Sequence, residues 1–193
     1  MPDGLVSSDR TELRLSGSGG QGVLLGATIL AEAATALGRH VVQTQSYGPA
    51  ARGGASKAEV IISSEEIDYP EVHQPHASLC LSQEAFTKYA LDTRPGGLLV
   101  YDCSLISCES CDLPEVRLRA IPFAQVAAER LGKTVVANIV AIGALTALTA
   151  LLPGEEVEKA VLQRVPARFR DLNADAFRLG VELALACESQ GEE

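Results

Sequence analysis

The 193-residue chain has no tryptophan, one methionine and only 4% aromatic residues. A platform that stacks single-stranded bases needs exposed aromatics interleaved with cations, and this chain is poor in both. Basic residues number 16 against 25 acidic ones, for a net charge of −9. That balance repels phosphate backbones and anionic lipid headgroups, so neither a nucleic-acid partner nor membrane insertion is expected. Long apolar runs are missing too. The best candidate, "VVANIVAIGALTALTALL", is broken by Asn138, Gly143, Thr146 and Thr149. It falls short of the ~20 apolar residues that cross a bilayer and reads as a buried helix. The opening "MPDGLVSSDR" has no basic segment followed by an apolar one. No secretory leader is expected from it, and residues 1–11 read as a flexible N-terminus of a cytoplasmic protein. Five cysteines is an odd number, which in that compartment reads as reduced thiols.

Several catalytic patterns are also absent. Gly48 to Gly53 is followed by "GASK", so no phosphate-binding G-x-x-x-x-G-K-[ST] loop forms. No G-x-S-x-G elbow surrounds Ser18. His73 and His76 form H-x-x-H around Pro75 without a third ligand, which reads as a surface turn rather than a zinc site.

What is present is a globular composition, 47% hydrophobic and 21% charged, enough for one domain over residues 1–193. Strands alternate with helices. "ELRLSG" reads as a first strand, Gly22 to Leu37 as a helix stopped by Gly38, and "HVVQTQS" as a second strand. "KAEVIISS", "HASLCLS", "GGLLVYDCS" and "EVRLRAIP" follow as strands, with helices at "QEAFTKYAL" and "FAQVAAERLG". Three helices close the chain: one opened by Asn138 as N-cap and ended by Pro153, an amphipathic one at "EEVEKAVLQRV", and one opened by Asn173. The pattern predicts an α/β fold, a single Rossmann-like domain with a mostly parallel sheet and a C-terminal group of three helices. The short link between the second and third strands makes that pair a candidate for antiparallel pairing.

The first strand runs into "GSGGQG", Gly17 to Gly22. G-x-G-x-x-G at a strand-to-helix turn is the phosphate cradle of dinucleotide folds. Gly17 would permit the tight turn, Gly19 a close backbone approach and Gly22 packing of helix on sheet. The second strand, however, ends "QTQS" with no acid to hold a ribose. An independent NAD(P)-binding protein and a small-ligand binding module therefore stand only as alternatives. Cys103, Cys108 and Cys111 have C-x4-C-x2-C spacing, as in plant-type ferredoxins, where a fourth cysteine completes the cluster. Cys80 could be that fourth ligand. The other reading is a small residue ending a strand and two loop thiols, with no metal held by the chain.

Four stretches taken together, "GSGGQGVLLGATILAEAA", "QSYGPAARGGASKAEVIIS", "GGLLVYD" and "NIVAIGALTALTALL", resemble the gamma subunit of the 2-oxoacid:ferredoxin oxidoreductases. The resemblance runs from about Leu13 to the last helix. It implies a complex that converts a 2-oxoacid and coenzyme A to acyl-CoA and carbon dioxide, passing electrons to ferredoxin. Thiamine diphosphate and Mg2+ would sit on alpha and beta subunits, and [4Fe-4S] clusters on the beta subunit and a ferredoxin-like delta subunit or domain. The chain agrees in lacking a G-D-G…N thiamine motif and a complete cluster run. It would supply no catalytic residue and hold no cofactor firmly. Its implied contact surface comprises Gly17, Gly19, Gly20, Gln21 and Gly22 from the first loop, with Gln21 facing a subunit interface. The second loop adds Ser46, Tyr47, Gly48, Arg52, Gly53 and Gly54. Both loops would leave the C-terminal ends of their strands, where such folds place ligands. Arg52 is either the anion partner, by its bidentate fork, or a brace for the loop carbonyls. Tyr47 offers an apolar face with a polar tip. Asp102, at a strand end, either orients a loop or contacts a ligand.

Overall fold

The structure, a computed structural model, describes residues 9–46, 54–108, 113 and 115–189. In chain order it runs β1 (Arg10–Ser18), α1 (Val23–Ala36), β2 (His40–Ser46), β3 (Ala55–Ser63), β4 (Ala77–Cys80) and α2 (Gln83–Tyr89). Then come β5 (Leu98–Asp102), β6 (Arg117–Ile121), α3 (Phe123–Leu131), α4 (Ala137–Thr149), α5 (Gly154–Arg164) and α6 (Arg170–Ser189). The six strands form one sheet in the order β2-β3-β1-β4-β5-β6. β1, β4, β5 and β6 pair in parallel, while β3 is antiparallel to both β1 and β2. The sheet is therefore mixed. The expected antiparallel pairing of the second and third strands is present, and a further antiparallel pair, β1 with β3, joins it.

Strand β1 begins at Arg10, earlier than "ELRLSG" suggests. Arg10 and Thr11 pair with Ser63 and Ile62, so two of the eleven residues expected to be flexible belong to the sheet. Side chains alternate across it. Leu13 and Leu15 of β1, Val60 and Ile62 of β3, and Leu79 of β4 join α1 and α4 in one apolar cluster. On the opposite face α2 packs on β1, β3 and β4. α5 packs on α1, α4 and α6 rather than on the sheet.

Between α2 and the sheet lies a charged group that alternation alone does not reveal. Arg14, 3% exposed, donates from Nε to Glu59 at 2.7 Å, from one terminal nitrogen to Asp92, and from the other to the Val72 carbonyl at 2.9 Å. Its guanidinium lies 5.7 Å from the centre of the Tyr89 ring. Lys57 Nζ reaches the same Glu59 carboxylate at 2.8 Å. A buried charge needs such partners, because desolvation penalises it heavily.

The helix ends follow local chemistry with three corrections. α1 closes as expected: Gly38 adopts φ 75° and donates its N–H to Thr35 at 2.9 Å. α4 ends at left-handed Ala150, and Pro153 stands at the start of α5 instead of closing α4. Asn138 is not an N-cap: a 3-10 turn, Thr134–Val136, leads into α4 and leaves Asn138 one residue inside it. Asn173 likewise lies inside α6, donating from Nδ2 to the Phe169 carbonyl at 2.8 Å. α4 and α6 approach at two glycines. A Cβ on Gly143 would sit 2.1 Å from the Phe177 carbonyl oxygen, and one on Gly180 1.9 Å from that of Val140. Only glycine allows backbones that close.

Candidate functional site at the strand-order reversal

The chain leaves β1 toward β2 on one side of the sheet, and leaves β4 toward β5 on the other. The crevice between the C-terminal ends of β1 and β4 is thus the topological switch point, where open α/β sheets bind ligands. "GSGGQG" occupies it, but its glycines do other work than expected. Gly17 is still in β1. The left-handed positions are Gly20 at φ 92° and Gly22 at φ 75°. Gly22 packs not on the sheet but on α4: a Cβ there would lie 2.1 Å from Asn138 Nδ2. Nothing lies within 4 Å of a Cβ on Gly19 or Gly20, so both face open space.

Gln21 turns inward. Its Oε1 accepts the Ser18 N–H at 2.6 Å, and its Nε2 donates to the Leu81 carbonyl at 2.7 Å. The side chain ties the β1 exit to the β4 exit, and it stays half-buried at the border of both clefts described below.

The second loop joins the same edge. Ser18 pairs with Ala55 and Ser46 with Lys57, so the exits of β1 and β2 flank the start of β3. Ser46 is exposed and Gly54 half-buried, whereas Tyr47, Gly48, Arg52 and Gly53 lie outside the described residues. The strand order also bears on the dinucleotide alternative. In the dinucleotide fold the ribose-binding acid ends a strand adjacent to the first. Here β3 separates β2 from β1, which moves that position out by a second spacing of about 4.8 Å.

Two clefts open at this edge. The larger, about 510 Å³, is bordered by Gly20, Gln21, Leu25, Val135, Asn138 and Phe169, among others. The smaller, about 350 Å³, shares Gly20, Gln21, Val135 and Asn138 and adds Leu81, Asp102 and Leu105. Asp102, 1% exposed, is already engaged. Oδ1 accepts from the Ser104 N–H and hydroxyl at 3.0 and 2.6 Å, and Oδ2 accepts the Ala124 N–H at 2.9 Å. It holds its loop and the first turn of α3, the orienting role of the two considered. Asn138 and Val135 were not singled out as site residues from the sequence. The signal at Asn138, a polar residue opening an apolar helix, was the same one that suggested a cap.

Among the described residues no group of three or more cysteine, histidine or acidic side chains could hold a metal ion. Cys80 is fully buried, 3.3 Å from the Ser16 hydroxyl, and burial pushes its thiol up to about 11. Cys103 is exposed and Cys187 half-buried, both reduced. Cys108 is disulfide-bonded, against the expectation of reduced thiols throughout. Cys111 lies outside the described residues. The two histidines diverge as well. His76 accepts the Glu12 N–H on Nδ1 at 3.2 Å, with its pKa lowered first by burial and then by Arg94. His73 is exposed beside Glu71 at 3.3 Å. Among the described residues no helix is long and apolar enough to cross a membrane.

Residues 12–183 match the family described as pyruvate ferredoxin/flavodoxin oxidoreductase, and the chain belongs to that family. A 2-oxoglutarate synthase subunit KorC from Methanocaldococcus jannaschii is 47% identical over 91% of this chain and 94% of its own length. The gamma subunit of a keto/oxoacid ferredoxin oxidoreductase from Geobacter sulfurreducens superposes with a TM-score of 0.84 at 46% identity, covering 92% of this chain and 98% of that one. The fold also recurs, at TM-score 0.84 and 23% identity, in the 2-oxoglutarate:ferredoxin oxidoreductase of Magnetococcus marinus, solved with 2-oxoglutarate, coenzyme A and succinyl-CoA. It covers 93% of this chain but 32% of that one. The chain is thus a gamma subunit of a 2-oxoacid:ferredoxin oxidoreductase complex.

Proposed function

We propose that this subunit serves a thiamine diphosphate-dependent, CoA-acylating 2-oxoglutarate:ferredoxin oxidoreductase of the cytoplasm, completing its active-site edge and contacting coenzyme A. Alpha and beta subunits hold thiamine diphosphate and Mg2+. The beta subunit and a ferredoxin-like delta subunit or domain hold the [4Fe-4S] clusters, and ferredoxin takes the electrons. The choice of 2-oxoacid rests on the KorC relative, and the coenzyme A contact on the family resemblance. One observation carries the placement. The exits of β1 and β2 flank the start of β3, so both glycine loops leave one edge of the sheet, with Gly19 and Gly20 open to an approaching group. Gly17, Gln21 and Gly22 shape the first loop. Ser46, Tyr47, Gly48, Arg52, Gly53 and Gly54 form the second, and Arg52 is the only cation in either.

The test is purification of the native complex and assay of a 2-oxoacid panel with coenzyme A and ferredoxin. The expected result is the highest kcat/KM for 2-oxoglutarate and no viologen reduction by this chain alone, with thiamine diphosphate and coenzyme A added. Preference for another 2-oxoacid would overturn the substrate. Activity of the isolated chain would overturn the division of labour.

A further inference from the structure

The Gly17–Ser18 peptide, from which the first glycine turn departs, is gripped at both polar ends by side chains. Its carbonyl accepts the Ser56 hydroxyl at 3.0 Å, and its N–H donates to Gln21 Oε1 at 2.6 Å. The other end of the Gln21 amide holds the Leu81 carbonyl at the exit of β4. The turn is closed by the Gln21 N–H on the Ser18 carbonyl at 3.2 Å. Gly19 and Gly20 stand at its tip, where an added Cβ would meet open space. Two adjacent glycines leave a turn free to take many shapes. The direction of their N–H groups is therefore set by whatever fixes the base of the turn.

Ser56 reaches that base from the other loop. It is the second residue of β3, two positions after Gly54, the last glycine of the second loop. Its partner Gly17 lies 39 residues away in the chain. The strand itself has no need of the hydroxyl, since Ala55 and Ala58 are both buried in β3 as alanines. Ser56 is half-buried, and its one hydroxyl proton is committed to the first loop.

We propose that Ser56 is a positioning residue for coenzyme A binding. Its hydroxyl locks the start of the first glycine loop to the end of the second, so both loops meet the ligand in one frame. This rests on the reading above, that the two loops contact coenzyme A. Ser56 acts through the Gly17–Ser18 peptide rather than on the ligand. A loop held in its binding shape before the ligand arrives avoids the cost of being ordered by it. The effect of Ser56 therefore falls on the affinity for coenzyme A and leaves the turnover of bound substrates alone.

The test is steady-state kinetics of the assembled enzyme. Ser56→Ala should raise the coenzyme A KM by about three- to tenfold, the loss of one neutral hydrogen bond, with kcat and the 2-oxoacid KM as in wild type. Ser56→Thr keeps the hydroxyl and should restore the coenzyme A KM. Hydrogen exchange at the Gly19 and Gly20 amides of the complex should quicken in Ser56→Ala and return in Ser56→Thr. If Arg52→Ala raises the coenzyme A KM and Ser56→Ala does not, the positioning role is overturned while the coenzyme A reading stands. A Ser56→Ala enzyme that assembles poorly, or loses kcat with its coenzyme A KM unchanged, also overturns it, because Ser56 is then only a strut of the sheet. If neither Arg52→Ala nor Ser56→Ala moves the coenzyme A KM, the coenzyme A reading itself fails and this inference falls with it.

Discussion

Gln21 and Leu81, sixty residues apart, are joined by a 2.7 Å hydrogen bond from the amide of one to the carbonyl of the other. The Gln21 amide oxygen meanwhile accepts the Ser18 N–H. The switch point is therefore braced by a side chain of the glycine turn itself. Gln21→Ala removes both bonds and should destabilise the isolated chain by about 1–3 kcal/mol, read from urea denaturation midpoints. Gln21→Glu keeps an acceptor for Ser18 but loses the donor to Leu81, so it should remain less stable than wild type. An unchanged midpoint in both variants would mean that the brace is dispensable.

Gly22→Ala meets two penalties, a left-handed backbone at φ 75° and a Cβ against Asn138 Nδ2. Together they should cost at least ~2 kcal/mol. Asn138→Ala should relieve the steric part, so the double variant should be more stable than the sum of the singles by more than about 0.5 kcal/mol. Gly19→Ala, in open space, should stay within ~0.5 kcal/mol of wild type. A fully additive cycle between positions 22 and 138 would refute the close contact.

Arg14→Met removes the buried cation shared by Glu59 and Asp92. Stripping one partner from a buried pair costs about 3–5 kcal/mol, moderated here because Lys57 still faces Glu59. Adding Glu59→Gln should recover part of the loss. If the single variant denatures like wild type, the network is not a stabilising element.

Burial raises the Cys80 thiol from its ordinary 9.0 to about 11. The folded state thus keeps a proton that the unfolded chain gives up, so the contribution is complete below about 9 and is lost as pH rises through about 11. Thermal unfolding between pH 8 and 11 should show a steeper fall in Tm for wild type than for Cys80→Ala. Parallel curves would mean that the Cys80 thiol titrates normally.

Arg52→Ala should raise the coenzyme A KM of the assembled enzyme by on the order of 10- to 100-fold, the loss of one charge-assisted contact. If Arg52 only braces its loop, assembly or total activity should fall with no selective effect on coenzyme A. If neither changes, the second loop is not a functional surface.

Local patterns in the sequence settled the elements and the family. "HVVQTQS" is β2 over its whole length, α1 stops one turn residue before Gly38, and the α/β alternation and paired glycine loops lead to the observed class. Each of these rests on neighbours in the chain, whose propensities act wherever the segment sits. What only the tertiary structure decided depends on contacts between distant residues. β3 lies between β1 and β2, Arg14 finds Glu59 and Asp92 at separations of 45 and 78 residues, and Gln21 turns inward to Leu81. Asn138 and Asn173 carry the local mark of a helix cap, but 3-10 turns before each helix take over its start. Asn138 is then fixed by Gly22, a residue 116 positions away whose missing side chain leaves the space that the amide fills.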